Sequence, residues 1–194
     1  MAAARSLFAE KGFDGVSVKD LAEATGHNAA LVNYYFKSKE GLYRECVMPL
    51  LGAGKSNMQR ILRIPTSKQD FLTRFHLFIE DFILSHMEEI DLCVILKRDS
   101  NTQVVKKLYK EHFTVLNDHL HQFLKAAKKA KYLLSDIDTD FATHFILSSL
   151  FQLITSERFR LEIGEPVFLD DSRREKTIQQ ITRYLTNGIV LQTS

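Results

Sequence analysis

Residues 17–36 read Ser17-Val18-Lys19-Asp20-Leu21-Ala22-Glu23-Ala24-Thr25-Gly26-His27-Asn28-Ala29-Ala30-Leu31-Val32-Asn33-Tyr34-Tyr35-Phe36. The stretch holds two short helices back to back. Ser17 offers a hydroxyl to an exposed backbone N–H, and Asp20 three residues on completes a capping-box-like pair. Val18, Leu21 and Ala22 then share one apolar face. Thr25-Gly26-His27 stops this helix after about two turns. Asn28 is placed to cap the next helix, which carries Leu31, Val32, Tyr34, Tyr35 and Phe36. Two short helices joined by a tight, Gly-containing turn have the length and turn chemistry of a helix-turn-helix.

Outward from this stretch, residues 2–11 form a short helix anchored by Leu7 and Phe8, with Gly12 as a left-handed C-cap and Phe13-Asp14-Gly15 as a turn. On the other side Ser38 caps a fourth helix with Lys39 and Glu40 in its first turn, followed by Leu42, Tyr43, Cys46 and Val47 at helical spacing. Pro49 lies inside that pattern and should kink or break it. Met58, Ile61 and Leu62 resume the pattern before Pro65, and Thr66 or Ser67 can cap the next helix. There Phe71, Phe75, Phe78, Ile79, Phe82 and Ile83 step by three and four residues along one face. A short helix over Leu92–Leu96 closes at Asp99-Ser100-Asn101. Val104, Val105, Leu108, Phe113, Leu116, Leu120, Phe123 and Leu124 make one long helix. The stretch from Phe141 to Arg160 is apolar almost all round, and the last helix runs from Ser172 to Leu191.

The composition agrees. The chain has 194 residues, 45% of them hydrophobic with 14 Phe, but only 8 Gly and 3 Pro. So few helix breakers, with no period-two strand pattern, favour an all-α fold of about nine helices. The expected layout is an N-terminal three-helix helix-turn-helix domain over residues 1–45 and a larger C-terminal helical bundle over 46–194. Net charge is only +2, which neither demands nor excludes nucleic acid. Up to Glu45 the basic residues Arg5, Lys11, Lys19, Lys37, Lys39 and Arg44 are cancelled by Glu10, Asp14, Asp20, Glu23, Glu40 and Glu45. From Thr25 to Lys39, however, Lys37 and Lys39 meet no acid, so that face is positive. Cys46 and Cys93 have no paired spacing and read as buried small hydrophobes. No apolar run is long enough to span a bilayer. His112, His119, His121 and His144 lack the companions of a metal site, and the run Lys125, Lys128, Lys129 and Lys131 reads as a solvated face. His76, His86, Glu88 and Glu89 read as surface or rim residues. With no nucleophile–base pair, phosphate loop or metal spacing, neither an enzyme nor a cofactor is expected.

Across its first quarter the chain resembles the TetR family. The matching strings are residues 4–13 (Ala4 to Phe13), 17–26 (Ser17 to Gly26) and 31–42 (Leu31 to Leu42). The resemblance implies a DNA-binding transcriptional regulator, a repressor on family habit. Such a protein acts in the cytoplasm as a homodimer on a near-palindromic double-stranded DNA operator, and a small-molecule effector releases it. By position, Ser17 and Lys19 start the second helix, where side chains reach phosphates or a base edge. Asn28, Ala29, Ala30, Leu31, Asn33 and Tyr34 take exposed positions of the recognition helix, and Tyr35 matches a position whose polar tip meets phosphate. Lys37 adds positive charge, and Lys39 opens the fourth helix, where its ammonium and the helix N-terminus favour a phosphate. Phe8, Leu21, Ala22, Val32 and Phe36 should be core. Two departures stand out. Asn33 replaces a Tyr of many relatives and can pair bidentately with adenine, and His27 stands where relatives often have Val.

Bundles host apolar ligands between their helices. Candidate lining residues are Phe75, Phe78, Phe82, Leu96, Tyr109, Phe113, Leu116 and Phe145, each of which also reads as plain core. The family implies that the last two long helices pair across a two-fold axis, through Phe145, Ser148, Ser149, Gln152, Ile178, Ile181, Leu185 and Ile189.

Overall fold

Every named secondary-structure element is helical among the residues described by the computed structural model, which are 1–52, 55–168 and 170–190. The α-helices are α1 Ala2–Lys11, α2 Val18–Thr25, α3 Ala29–Phe36, α4 Lys39–Gly52, α5 Lys55–Ile61, α6 Lys68–Met87, α7 Ile90–Arg98, α8 Gln103–Leu108, α9 Thr114–Lys129, α10 Thr139–Glu162 and α11 Asp171–Ile189. A π-helical turn over Tyr109–Phe113 follows α8 in the chain and precedes α9. The segment expected as one long helix is thus three consecutive helical elements. The only pairing of strand type among the described residues is an isolated bridge between Leu133 and Val190. The expected end of the last helix at Leu191 lies outside the described residues.

Capping chemistry sets most of the starts. Ser67 accepts the Asp70 N–H, while Thr66 donates its N–H and hydroxyl to the Asp70 carboxylate. Asp138 caps α10 and Asp170 caps α11. The Ser38 hydroxyl accepts the Gly41 N–H at the head of α4. Pro49 does not break α4, which runs on to Gly52. A proline removes one internal bond, and Glu45, whose carbonyl is freed, is exposed to water.

The chain forms two compact units. The first is Met1–Ala53 together with Glu89–Phe113, and the second is Gly54–Glu88 together with Thr114–Ser194. The unit that contains the helix-turn-helix is thus larger than residues 1–45 and discontinuous in sequence. In it α1 packs on α2, α4 and α7, and α4 packs on α3, α7 and α8. Its core holds Phe8, Leu21, Leu42, Tyr43, Leu92, Cys93 and Leu108. Arg44 reaches Glu111 at 2.5 Å, and Lys107 reaches Glu40 at 3.3 Å, tying α4 to α8 and the π turn. The Arg44 bond holds the Glu111 carboxyl below its ordinary range and raises the guanidinium in turn.

In the second unit α6 is the central element and touches α5, α10 and α11, while α9 packs on α5 and α10. Its buried row Phe71, Phe75, Phe78, Ile79, Phe82 and Ile83 follows the expected spacing. Each such side chain contributes roughly 1.5–3 kcal/mol by leaving water. His86 continues that row one turn beyond Phe82 and is buried, which corrects its reading as a rim residue. Its ring stacks on Phe82, Nδ1 meets the Phe82 carbonyl at 2.7 Å, and burial lowers its pKa.

Both cysteines are buried, and neither forms a disulfide among the described residues. Burial pushes the Cys46 thiol up to about 11 and the Cys93 thiol up to about 12. Neither supplies thiolate near neutrality. Native protein at pH 8 is expected to show no rapid reaction with an aromatic disulfide reagent, and guanidinium is expected to release two thiols. Rapid native reaction of either thiol would contradict this packing.

Candidate nucleic-acid interface

The local sequence builds the helix-turn-helix through three caps. Ser17 and Asp20 form a complete capping box on α2: the Ser17 Oγ accepts the Asp20 N–H at 3.1 Å, and Asp20 Oδ2 accepts the Ser17 N–H at 2.8 Å. The Ser17 hydroxyl also donates to Asp20 at 2.6 Å. The Ser17 hydroxyl and then its backbone N–H hold the Asp20 carboxyl below its ordinary range. Gly26 adopts φ +70°, ψ 22°, the left-handed turn that ends α2 and aims the chain into α3. Open space surrounds its Cβ position, so the dihedral alone demands glycine there. Asn28 caps α3 by accepting the Leu31 N–H at 2.8 Å.

Helix α3 presents its predicted outer residues. Ala29, Ala30, Leu31, Asn33, Tyr34 and Tyr35 are exposed, with Tyr34 at 70% and Tyr35 at 69%. The two tyrosine rings meet edge to face at 5.2 Å. Val32 is buried on the opposite side with Phe8, Leu21 and Ala22, and Phe36 is half-buried. Lys37 ends α3 with φ +66°, an uncommon conformation for a lysine. Its ammonium donates to the Tyr34 carbonyl, and it has no carboxylate partner among the described residues.

The remaining predicted contact residues are differently placed. Lys19 is exposed and 3.9 Å from Glu23, a pair worth little in water. The Ser17 hydroxyl already serves its cap. Lys39 is half-buried and donates from Nζ to the Phe13 carbonyl at 2.8 Å, lying 4.3 Å from the Phe13 ring centroid. Its charge therefore steadies the turn after α1.

The eight candidate ligand-lining residues do not form one group within a unit. Leu96, Tyr109 and Phe113 belong to the first unit and the other five to the second. Phe75, Phe78, Phe82 and Leu96 are close-packed core, whereas Tyr109 and Phe145 are exposed. Of the candidate interface residues, Ile178 is buried within its own unit and is core. Phe145, Ser148 and Gln152 are exposed, and Ser149, Ile181, Leu185 and Ile189 are half-buried. Sequence reading missed Phe141 and Tyr184, which are exposed at 69% and 68%. They join Phe145, Ile146, Leu185, Gly188 and Ile189 around a groove of about 420 Å³. The four-residue step from Phe141 to Phe145 marks that face in the sequence.

Comparison with known proteins agrees with this geometry. Residues 1–46 match the family model for bacterial regulatory proteins of the tetR family. A stretch of 41 residues is 46% identical to the "Probable HTH-type transcriptional regulator YttP" of Bacillus subtilis (strain 168), covering 21% of this chain and 20% of that protein. The fold is shared along nearly the whole chain. The TetR-family regulator PfmR of Thermus thermophilus superposes with TM-score 0.71 at 20% identity, covering 98% of this chain and 97% of that one. The fatty acid degradation regulator FadR of Bacillus halodurans gives 0.72 at 18% identity, with the same coverages. The chain thus has a TetR-type DNA-binding region at its N-terminus and the TetR-like all-helical fold throughout.

Lys37→Ala is expected to weaken binding to all duplexes alike and to reduce the salt slope of log K by about one. Lys39→Ala is expected to leave that slope unchanged and to lower thermal stability, because its ammonium is bound internally. Titrations at several salt concentrations, with melting curves, check both. An equal slope change in the two variants would contradict the assignment.

Proposed function

We propose that the chain is a repressor that acts in the cytoplasm, binds a near-palindromic operator as a homodimer and leaves it when a small-molecule effector binds. The observation that carries this reading is the pairing of two exposed surfaces. One is the outer face of α3 with its two tyrosines. The other is the aromatic face of α10 and α11 around Phe141, Phe145 and Tyr184. A single eight-residue helix reads too few base edges for operator specificity, whereas two copies related by a two-fold axis read two half-sites about one helical turn, or a multiple of it, apart. An aromatic face open to water is the surface such pairing would cover.

In this reading Asn33 supplies base recognition, Tyr34 and Tyr35 border it, and Lys37 and Lys19 meet phosphates. Ala29, Ala30 and Leu31 offer methyl contacts. The effector is apolar and inserts beside the row Phe75, Phe78 and Phe82 in the second unit. A fatty-acyl compound is the first to try, since that interior is aromatic and aliphatic and one structurally similar regulator is named for fatty acid degradation. Effector and operator then oppose each other reciprocally.

Selection of duplexes from a randomised library, followed by light scattering and gel shift, tests the reading. The wild type is expected to select a two-fold symmetric site and to bind it as a dimer. Phe145→Asp is expected to give a folded monomer whose operator affinity is about 100-fold lower or worse, because the two half-sites no longer bind as one linked event. A monomeric wild type with full affinity would refute the dimer, and selection without sequence preference would refute the repressor.

A further inference from the structure

Asp99 follows α7 in the first unit and is only 6% exposed. Its carboxylate is a junction. Oδ2 accepts the Phe13 backbone N–H at 3.1 Å and the Tyr43 hydroxyl at 3.0 Å, and Oδ1 accepts Arg98 Nε at 3.2 Å. Phe13 opens the turn between α1 and α2, and Tyr43 lies on α4. Asp99 therefore joins the end of α7 to the elements on either side of the helix-turn-helix. The same turn is held from its other side by Lys39, which bonds the Phe13 carbonyl, and the Phe13 and Tyr43 rings meet edge to face at 5.1 Å. Arg98 adds a second tie by donating to the Phe8 and Ala9 carbonyls at the C-terminal end of α1.

Gly12 shows how tight this junction is. It sits at φ +75°, ψ 169°, a region open essentially to glycine alone and not the left-handed cap expected from the sequence. A Cβ there would lie 3.2 Å from Asp99 Oδ1 and 3.3 Å from Arg98 Nε. The end of α7 thus approaches the backbone after α1 more closely than a side chain at Gly12 would find without a shift of its neighbours.

We infer that Asp99 is a positioning residue for operator reading. It anchors the turn from which α2 and α3 project, and so sets where the recognition helix points. The protein's DNA-reading unit accordingly includes residues 89–113 and does not end at α4. The physical warrant is the cost of leaving two donors without an acceptor. The Phe13 N–H is part-buried and the Tyr43 hydroxyl buried, so each loses free energy when left without its acceptor until it reaches water. Removing the carboxylate makes the turn move until both donors find water, and α3 moves with it. Phosphate contacts tolerate such a shift and base contacts do not, because base pairing needs fixed geometry. The junction therefore governs specificity more than affinity.

This inference rests on the reading of α3 as the DNA-recognition helix. The test uses the full chain, the duplex selected by the wild type from a randomised library, and an unrelated duplex of equal length. Asp99→Ala, at a temperature where circular dichroism shows it fully folded, is expected to lower the ratio of selected to unrelated affinity by about tenfold or more. Its salt slope on the unrelated duplex should not change. Asp99→Asn keeps an acceptor oxygen and should restore most of the ratio. Tyr43→Phe, which orphans nothing, folds even if Asp99→Ala does not, and should lower the ratio by a few-fold. A folded Asp99→Ala or Tyr43→Phe protein with the wild-type ratio would overturn the inference. So would an equal loss of affinity for both duplexes, the mark of a role in stability alone. Failure of the wild type itself to prefer any duplex would instead overturn the DNA-recognition reading and the inference together.

Discussion

Eight residues are too few to hold a helix in water, and α3 has only eight. Nearly all of its side chains face outward, and only Val32 is fully buried. Helix α3 therefore owes its shape to what holds its ends and its one buried side. Asn28 satisfies its first turn, Gly26 sets its entry, and the packing of Leu21, Ala22, Phe8 and Leu42 supplies the floor. A short helix that leaves most of its side chains in water has to take its stability from neighbours.

Those neighbours extend beyond the segment that shows the family pattern. The knot around Phe13 draws on three places in the chain: Phe13 itself, Lys39 and Tyr43 on α4, and Asp99 after α7. Lys39 illustrates how a charge can serve the fold while standing where sequence pattern assigns it to a phosphate. Its ammonium meets a carbonyl oxygen and an aromatic face. Near-balance of charge over the first 45 residues fits this economy, since several of the basic groups stabilise the domain and do not advertise to DNA. Lys37 is the cation left on the outer surface at the end of α3.

The π turn closes the segment 89–113. Leu108 and Phe113 stand five residues apart in an apolar pattern that otherwise steps by three and four. One extra residue in the turn restores the phase on either side, and Tyr109 stacks on Phe113 at 5.0 Å within it. The first compact unit ends at Phe113 and the second resumes at Thr114. A helix that looks single by pattern thus belongs to two units, with the irregular turn at the change.

Much of this molecule was written locally. The capping box at Ser17 and Asp20, the Asn28 cap, the buried row of α6 and the outward side of α3 all follow from spacing and side-chain chemistry within a few residues. Such interactions depend only on near neighbours in the chain. Asp99 could not be read that way, because its partners Phe13 and Tyr43 are 86 and 56 residues distant. Nor could the exposure of Phe141 and Tyr184, since an apolar residue on a helix carries no mark of whether its own chain covers it. Those positions were decided by tertiary packing, which alone determines which donors are sealed from water and which apolar faces stay open.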